Sequence, residues 1–274
     1  MKYLTKSILH LPQRKKNARK GDYGRVLIIG GSIDYIGAPA LAAQAALAVL
    51  RGGADLVTVV APEKVAWAIN CLIPDIITVK VKGSYFQKKH LSFVLHLAKK
   101  YDVVLIGCGM GRQSDVFIRS FVKQVKKPLV IDADALKCIR VQDVHHALLT
   151  PHRGEYQQLM QNSHLPIAFT QDAFNRVRNH LGDNVVLLKA PVDVIMGKKD
   201  IIGNKTGNPV MAKGGTGDVL AGLCASFLAQ KQNTFKAACI AAYLNGAVGD
   251  YLLRHYGRTF IASDIVSNIY KVFK

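Results

Sequence analysis

Short apolar runs alternate with helical patterns along most of the chain. Runs such as RVLIIG, DVVLIG and PLVI are apolar throughout, and the segments between them, for example APALAAQAALAVL and SDVFIRSFVKQV, have helical periodicity. Strands without polar alternation belong inside a sheet that is covered on both faces. Helices between consecutive strands imply parallel crossover connections. The pattern therefore predicts an α/β fold, a three-layer sandwich with a mostly parallel central sheet flanked by helices.

Two parts of the chain depart from this alternation. In VVLLKAPVDVIMG two strands are too close for a helix between them, which predicts an antiparallel pair at one side of the sheet. From Thr216 onward the pattern is almost entirely helical. No repeat or change of composition marks a linker, so we predict a single domain over residues 20–274. Residues 1–19 are predicted to form a basic N-terminal arm.

The charge balance is strongly basic, with 37 Lys and Arg against 18 Asp and Glu and a formal net charge of +19. Such a surplus attracts polyanions. The densest cluster, RKKNARK, has no interleaved aromatic residues for base stacking. We therefore favour a basic surface over a nucleic-acid site, and a nucleotide-sized anionic substrate would also profit from this field.

Neither a membrane nor an oxidising compartment is indicated. The apolar runs are shorter than the ~18 residues typical of a membrane span, and the N-terminus lacks the apolar segment of a secretory signal. The five cysteines are scattered without a CxxC pair, so neither a zinc site nor a disulfide framework is supported. A reduced, cytoplasmic protein is the simplest interpretation.

Glycine-rich or polar loops follow several of the predicted strands. GGSIDYIGA, GCGMGR, DADAL and TPHRGE each come directly after an apolar run. Glycines in turns or helix caps would explain each loop alone. Open α/β sheets, however, bind ligands at the carboxyl ends of their strands. The recurrence of such loops predicts a binding site at that edge.

The glycine loop AKGGTGD precedes a predicted helix that starts near Thr216. Free N–H groups of Gly215, Thr216 and Gly217 would form a cradle for an oxyanion or phosphate at the positive end of the helix dipole. Asp218 has two interpretations. It is either a base that deprotonates a hydroxyl attacking a phosphate, or a first-turn residue that complements the dipole by ~0.3–1 kcal/mol.

The segment NPVMAKGGTGDVLAG resembles the signature of the ADP/ATP-dependent NAD(P)H-hydrate dehydratases, a branch of the ribokinase-like superfamily. KGDYGRVLIIGGS, GAPALAAQAAL, GCGMG, VIDADAL, LTPHRGE and VVLLKAPVDVI also resemble segments of that family, in its order. The resemblance covers nearly the whole chain from Lys20 onward.

This resemblance implies a repair reaction on nicotinamide nucleotides. The family dehydrates the S epimer of hydrated NADH or NADPH, driven by cleavage of ADP or ATP through a phosphorylated C6 hydroxyl. Mg²⁺ would bridge the nucleotide phosphates. The resemblance further implies a homo-oligomer, with a tetramer as the expected form.

The resemblance also assigns site residues by position. The catalytic set is Asp218 with Gly215, Thr216 and Gly217. The substrate-binding set is Ala38, Pro39, Gly109, His152 and Asp218. The nucleotide-binding set is Lys189, Ala190, Pro191, Val192, Asp193 and Gly217. Glu155 would orient magnesium through water, and a capping role is the alternative for His152.

The chain departs from the family pattern near the expected nucleotide. The family usually has Lys-Gly followed two residues later by Thr, where this chain has Ala190 and Asp193, and commonly has glycine where this chain has Val210. The carboxylate of Asp193 is expected to add a negative charge beside the nucleotide. Two alternative functions stay open. A thiazole- or hydroxymethylpyrimidine-type kinase of the same fold would use the same glycine loop and aspartate, and the altered nucleotide segment and the net charge of +19 suggest a non-catalytic basic binding protein.

Overall fold

The computed structural model describes residues 1–9, 17, 19, 21–48 and 54–272. These residues form ten strands of one sheet and nine α-helices. The strands are β1 (Lys2–Tyr3), β2 (Arg25–Ile29), β3 (Leu56–Pro62), β4 (Ile77–Val81), β5 (Val103–Ile106), β6 (Leu129–Ile131), β7 (Ala147–Leu149), β8 (Val185–Leu188), β9 (Asp193–Met196) and β10 (Ile201–Asn204). The helices are α1 (Gly37–Ala48), α2 (Glu63–Leu72), α3 (Leu91–Ala98), α4 (Asp115–Gln124), α5 (Arg153–Asn162), α6 (Gln171–Asn179), α7 (Thr216–Ala229), α8 (Thr234–Tyr256) and α9 (Ala262–Asn268). None of these helices has the length and apolar character needed to cross a membrane.

The sheet is mostly parallel, as the sequence predicts. Its strand order is β1-β10-β9-β8-β7-β6-β5-β2-β3-β4. The strands from β2 to β8 pair in parallel with their neighbours, whereas β9 is antiparallel to both β8 and β10. The antiparallel pair predicted in VVLLKAPVDVIMG is therefore β8 and β9.

Helices cover both faces of the sheet, which explains why the strands are apolar throughout. In β2, Val26 and Ile28 face one layer, and Leu27 and Ile29 face the other. Successive side chains of a strand point to opposite faces, so both sets must be apolar. Helices α1, α2, α7, α8 and α9 pack on the first face, and α3 to α6 pack on the second. The predicted three-layer sandwich is confirmed.

The order of the strands changes direction between β2 and β5. Strands β2 to β4 follow one another towards one edge of the sheet, and β5 to β9 follow one another towards the other edge. Strands β2 and β5 are neighbours in the sheet but are separated along the sequence by β3 and β4. The glycine loops that follow β2 and β5 are joined by a hydrogen bond from Gly31 N to Cys108 O, 2.8 Å long. Such a switch point opens a crevice at the carboxyl ends of the strands. A ligand site is expected there.

The prediction of an N-terminal arm over residues 1–19 is wrong for its first part. β1 pairs in parallel with β10, with Lys2 opposite Ile202. Leu4, Ile8 and Leu9 then pack against the core on the face that carries α8. These apolar side chains and the sheet edge hold the segment in place. Residues 10–16, 18 and 20, which include most of the RKKNARK cluster, lie outside the described residues.

Helices α1 and α7 pack closely because both are rich in alanine and glycine. A Cβ at Gly222 of α7 would collide with the backbone oxygen of Ala42 in α1. This contact sets the position of α7, whose N-terminus carries the glycine loop.

We predict that Gly222→Ala destabilises the protein, although alanine is the better helix former by about 1 kcal/mol. The added methyl group must push α1 and α7 apart, and overpacking of this kind costs about 1–3 kcal/mol. Urea unfolding measures the difference. Gly37→Ala is the control, because nothing lies within 4 Å of a Cβ at Gly37. A Gly222→Ala protein as stable as the parent would contradict the close packing.

Candidate active site

The glycine loop turns sharply into α7. Gly215 precedes the helix with a φ of +91°, in the left-handed region. A Cβ there would lie 2.6 Å from Leu41 Cδ1, so both the turn and the packing require glycine. The hydroxyl of Thr216 holds the loop by donating a hydrogen bond to Met211 O (2.8 Å) or to Lys213 O (3.0 Å). The first N–H groups of a helix have no partner within the helix, so this end of α7 is suited to an anion.

Several charged side chains converge beneath this loop. The carboxylates of Asp218 and Asp132 and the sulfur of Cys108 all lie within 4.8 Å of one another. Lys189 Nζ lies 2.9 Å from Asp132 Oδ1 and 3.9 Å from Glu155 Oε2. The carboxyl ends of β6 and β8, the loop after β5 and the first turns of α5 and α7 therefore meet at one point. One ammonium group faces three carboxylates.

This environment changes the acidity of Asp218. Burial raises the pKa of Asp218 to about 6, and the negative charge of Asp132 adds to the rise. A hydrogen bond from the Cys108 thiol and the positive charge of Lys189 oppose it. Burial also raises the pKa of Cys108 well above its usual value, so this residue stays a thiol. Asp218 is then ionised at neutral pH, yet its affinity for a proton is high for a carboxylate.

Lys189 remains a cation although it is enclosed. Burial favours the neutral amine, but the charges of Asp132 and Glu155 outweigh it and raise the pKa of Lys189. A Cβ at Gly217 would lie 3.2 Å from Lys189 Nζ. The absence of a side chain at Gly217 therefore leaves room for the ammonium group next to the helix end.

His152 and Glu155 form a reciprocal cap at the start of α5. His152 Nδ1 accepts hydrogen bonds from Gly154 N (3.0 Å) and Glu155 N (3.3 Å), and Glu155 Oε2 accepts one from His152 N (2.9 Å). The capping role that the sequence left open for His152 is thus present. The His152 side chain is nevertheless 58% exposed, and it lines the cavity described below.

The segment Lys189–Asp193 forms the turn between β8 and β9. Asp193 Oδ1 accepts a hydrogen bond from Ala190 N (3.1 Å), and Oδ2 accepts one from Asn204 Nδ2 (3.0 Å). Burial raises the pKa of Asp193 to about 6, and the bonds from Asn204 and Ala190 oppose the rise. The carboxylate that the sequence suggested as a free negative charge thus serves first as an internal acceptor that shapes the turn.

A cavity of about 750 Å³ opens between this turn, the loop before α7 and the middle of α8. This volume is typical of small-molecule sites. The cavity brings together many of the residues expected from the sequence, namely His152, Lys189, Ala190, Pro191, Asp193, Thr216 and Gly217. Val192, by contrast, is an exposed residue at the tip of the turn.

Three of the residues expected to bind the nicotinamide substrate lie at the switch point near Cys108, whereas the fourth, His152, lines the cavity beside Lys189. A Cβ at Gly109 would lie 2.8 Å from Tyr35 Cβ and 3.3 Å from Ala38 Cβ. The φ of Gly109 is +65°, so the fold itself requires glycine here. Pro39 packs against the loop after β2, 3.2 Å from a Cβ at Gly30. Ala38, Pro39 and Gly109 thus form one wall, next to Cys108.

Sequence reasoning missed two residues that lie beside Asp218. Asp132, whose Oδ1 also accepts a hydrogen bond from Thr150 Oγ1 (2.8 Å), is the partner of Lys189. Its place directly after β6 was a usable signal, because carboxyl ends of parallel strands carry functional side chains. Cys108 gave no such signal, since a cysteine in a glycine loop is ordinarily a small packing residue.

Comparison with known proteins agrees with this geometry. The model of the Carb_kinase family, described as NAD(P)H-hydrate dehydratase, matches residues 26–271. The chain belongs to the NAD(P)H-hydrate dehydratase family.

Two relatives and one solved structure illustrate the similarity. The bifunctional NAD(P)H-hydrate repair enzyme Nnr of Methanothermobacter thermautotrophicus is 40% identical over 277 residues, which cover 96% of this chain and 52% of the relative. The ADP-dependent (S)-NAD(P)H-hydrate dehydratase of Cenarchaeum symbiosum is 32% identical, over 96% of this chain and 93% of the relative. The crystal structure of the ADP/ATP-dependent NAD(P)H-hydrate dehydratase from Bacillus subtilis, co-crystallized with ATP and Mg²⁺, has a TM-score of 0.77 and 25% identity, covering 100% of this chain and 99% of that one. The chain spans about half the length of the bifunctional relatives that it matches.

We predict that Lys189→Met costs about 3–5 kcal/mol in unfolding free energy, because it leaves the buried carboxylate of Asp132 without a cation. Asp132→Asn in the same background should recover part of the loss. Urea unfolding at neutral pH measures all three proteins.

Arg176→Met provides the matched control. Arg176 pairs with Asp172 at 2.9 Å on the exposed face of α6, where such a pair contributes less than about 1 kcal/mol. Equal stabilities of the Lys189→Met and Arg176→Met proteins would show that the cluster does not depend on the ammonium group.

Proposed function

We propose that the chain dehydrates the S epimer of hydrated NADH or NADPH to NADH or NADPH, coupled to hydrolysis of ADP or ATP through a phosphorylated C6 hydroxyl. One observation carries this proposal. Asp218, whose pKa is raised to about 6, stands in the first turn of α7, directly after Thr216 and Gly217 of the cavity lining, and its carboxylate lies within 4.8 Å of the sulfur of Cys108. A base in this position would touch both a nucleotide phosphate and a second ligand.

The proposed first step transfers a phosphoryl group to the substrate. Asp218 takes the proton of the C6 hydroxyl while the hydroxyl oxygen attacks the terminal phosphorus of the nucleotide. The bond from that phosphorus to the bridging oxygen of the nucleotide breaks. The N–H groups of Gly215, Thr216 and Gly217 stabilise the phosphoryl oxygens as negative charge develops. The side chain of Lys189 adds a positive charge beside them.

The second step releases phosphate. Hydroxide is a poor leaving group, whereas phosphate is a good one, so the C6–O bond now breaks. The lone pair of the ring nitrogen supplies the electrons and forms a double bond to C6. Transfer of a proton from C5 to the departing phosphate then moves the double bond to C5–C6 and restores the dihydropyridine. Ala38, Pro39, Gly109 and His152 are proposed to position the nicotinamide nucleotide for both steps.

The nucleotide is proposed to bind in the cavity of about 750 Å³. Its phosphates would lie between Lys189 and the end of α7, and the turn Lys189–Asp193 would contact the rest of the molecule. The hydrogen bond from Asn204 to Asp193 keeps this turn in shape without the threonine usual in the family. The related Bacillus subtilis enzyme, named for its use of ADP or ATP, supports this assignment.

The residues of the site fit magnesium. Mg²⁺ prefers oxygen ligands, and the carboxylates of Asp132, Glu155 and Asp218 outnumber the one ammonium group of Lys189. Asp132 and Glu155 are proposed to hold the ion, Glu155 through water. The bound ion would neutralise charge on the nucleotide phosphates. A cytoplasmic location belongs to the proposal because the cysteines are scattered and unpaired, and a homo-oligomer, with a tetramer as the expected form, belongs to it by resemblance.

A coupled assay tests the reaction. Incubation of hydrated NADH or NADPH with ADP or ATP and Mg²⁺ should restore the absorbance of the dihydronicotinamide and release inorganic phosphate in equal amounts. Asp218→Asn should fold, should still bind the nucleotide and should lose about 10²–10⁴-fold in turnover, because the base is gone. Asp172→Asn, on the exposed face of α6, is the control and should be fully active.

Two results would contradict the proposal. Accumulation of a stable phosphorylated alcohol would indicate a small-molecule kinase. Normal turnover of the Asp218→Asn protein would reduce Asp218 to a residue that complements the helix dipole.

We predict an acidic limb in the pH profile of kcat/KM. The base acts only when it is ionised, so the rate should be constant above the pKa of about 6 and should fall below it, tenfold per pH unit. Steady-state rates between pH 4.5 and 8 measure this. The residual activity of Asp218→Asn should lack the limb. A parent profile that stays flat down to pH 5 would exclude Asp218 as the base.

A further inference from the structure

The cavity contains one polar side chain that the fold does not use. Asn245 lies in the middle of α8, is 8% exposed and lines the cavity. Its Oδ1 is buried and has no hydrogen-bond partner in the part of the chain that the structure describes. Buried side-chain oxygens are nearly always hydrogen-bonded, because an oxygen that gives up its hydrogen bonds to water without gaining others destabilises the protein. An orphaned amide in a ligand cavity therefore indicates a partner on the ligand.

The neighbouring polar side chains in the cavity differ from Asn245, because the fold already uses them. Thr206 Oγ1 donates a hydrogen bond to Asn204 Oδ1 (2.9 Å) or to Tyr243 O (3.0 Å). Asn208 Nδ2 donates one to Asp250 Oδ1 (3.1 Å). Lys213 Nζ donates to Phe260 O (2.8 Å). Among these lining side chains, the amide of Asn245 is the one left to recognise a ligand.

The surroundings of Asn245 suit a flat apolar ring. Ala242, Asn245 and Gly246 share one face of α8, since residues three and four apart are neighbours on a helix. Ala242 and Gly246 have little or no side chain, and a Cβ at Gly246 would collide with Thr206 Oγ1. Met211 and Leu220 supply apolar atoms to the same cavity.

The two parts of the cavity thus differ in polarity. Lys189 and the end of α7 provide a positive charge and free N–H groups at one part. The face of α8 provides apolar surface and one amide. A nucleotide has the same division, with phosphates at one end and a base at the other.

We propose that the Asn245 amide binds the 6-amino group and N7 of adenine, and thereby selects adenine over 6-oxo purines. The inference rests on the proposed function for the placement of the phosphates. An asparagine amide matches this edge of adenine with one donor and one acceptor. Hypoxanthine and guanine present two acceptors along the same edge, so the amide oxygen would stay unpaired whichever way the amide is turned.

Isothermal calorimetry with Mg²⁺ and ADP, IDP or 2′-deoxy-ADP tests this. The parent protein should bind ADP about tenfold to a hundredfold more tightly than IDP, the scale of one buried polar group left unpaired. In Asn245→Leu, which keeps the shape of the side chain, ADP should lose that factor and the two nucleotides should bind alike. Thr206→Val is the matched control, because it lines the same cavity and should change both affinities equally.

Three outcomes would overturn the inference. The first is equal binding of ADP and IDP by the parent protein. The second is an equal loss of affinity for both nucleotides in Asn245→Leu. The third is that Asn245→Leu removes only the difference in affinity between ADP and 2′-deoxy-ADP. The last outcome would assign Asn245 to the ribose. The comparison of ADP and IDP in the parent protein needs no variant, so it tests the inference even if Asn245→Leu fails to fold. The readout is binding, so absence of dehydratase turnover would count against the proposed reaction and not against base selection.

Discussion

The ion pair between Lys189 and Asp132 connects the carboxyl ends of β8 and β6 across β7. Its N–O distance is 2.9 Å, and Asp132 is almost completely enclosed. Water screens a buried pair only weakly, so this pair strongly affects the other charged side chains near it. Without Lys189, three carboxylates would share a buried pocket with no cation, which is strongly unfavourable. With it, a net negative charge remains, and this charge contributes to the weak acidity of Asp218.

Asp218 stands where two different surfaces meet. On one side is the cavity between the β8–β9 turn and α8. On the other are the glycine loops at the switch point between β2 and β5. Cys108 belongs to the second surface and reaches Asp218 by its thiol. The carboxylate of Asp218 thus contacts the glycine loop after β5, while the two residues before it in α7, Thr216 and Gly217, line the cavity.

Much of the fold could be predicted because the signals were local. Continuous apolar runs indicated strands covered on both faces, the short KAPV interval indicated a turn between β8 and β9, and the switch from glycine to apolar residues located the start of α7 at Thr216. Local pattern failed at β1. An edge strand of two residues has no periodicity to detect, and its position depends on pairing with β10, about 200 residues away.

The site was predicted less completely, because its chemistry depends on contacts between distant segments. Asp193 looked like a free charge, and only its pairing with Asn204 of β10 shows that it is an acceptor within the turn. Asp132 gains its importance from Lys189, 57 positions later in the sequence. Asn245 looked like an ordinary polar residue in a helix, and its missing partner became visible only with the cavity in place.

The β8–β9 turn also determines where the chain tolerates foreign sequence. Since β9 runs back from the carboxyl end of β8, the turn lies at the edge of the sheet that carries the cavity, and an insertion there would alter the cavity wall that Ala190 and Pro191 form. The loop before β8 opens at the opposite edge. There Gly182 is exposed, and no atom lies within 4 Å of a Cβ built on it. A peptide tag or a fluorescent reporter domain inserted at Gly182 would extend into solvent and leave the cavity undisturbed.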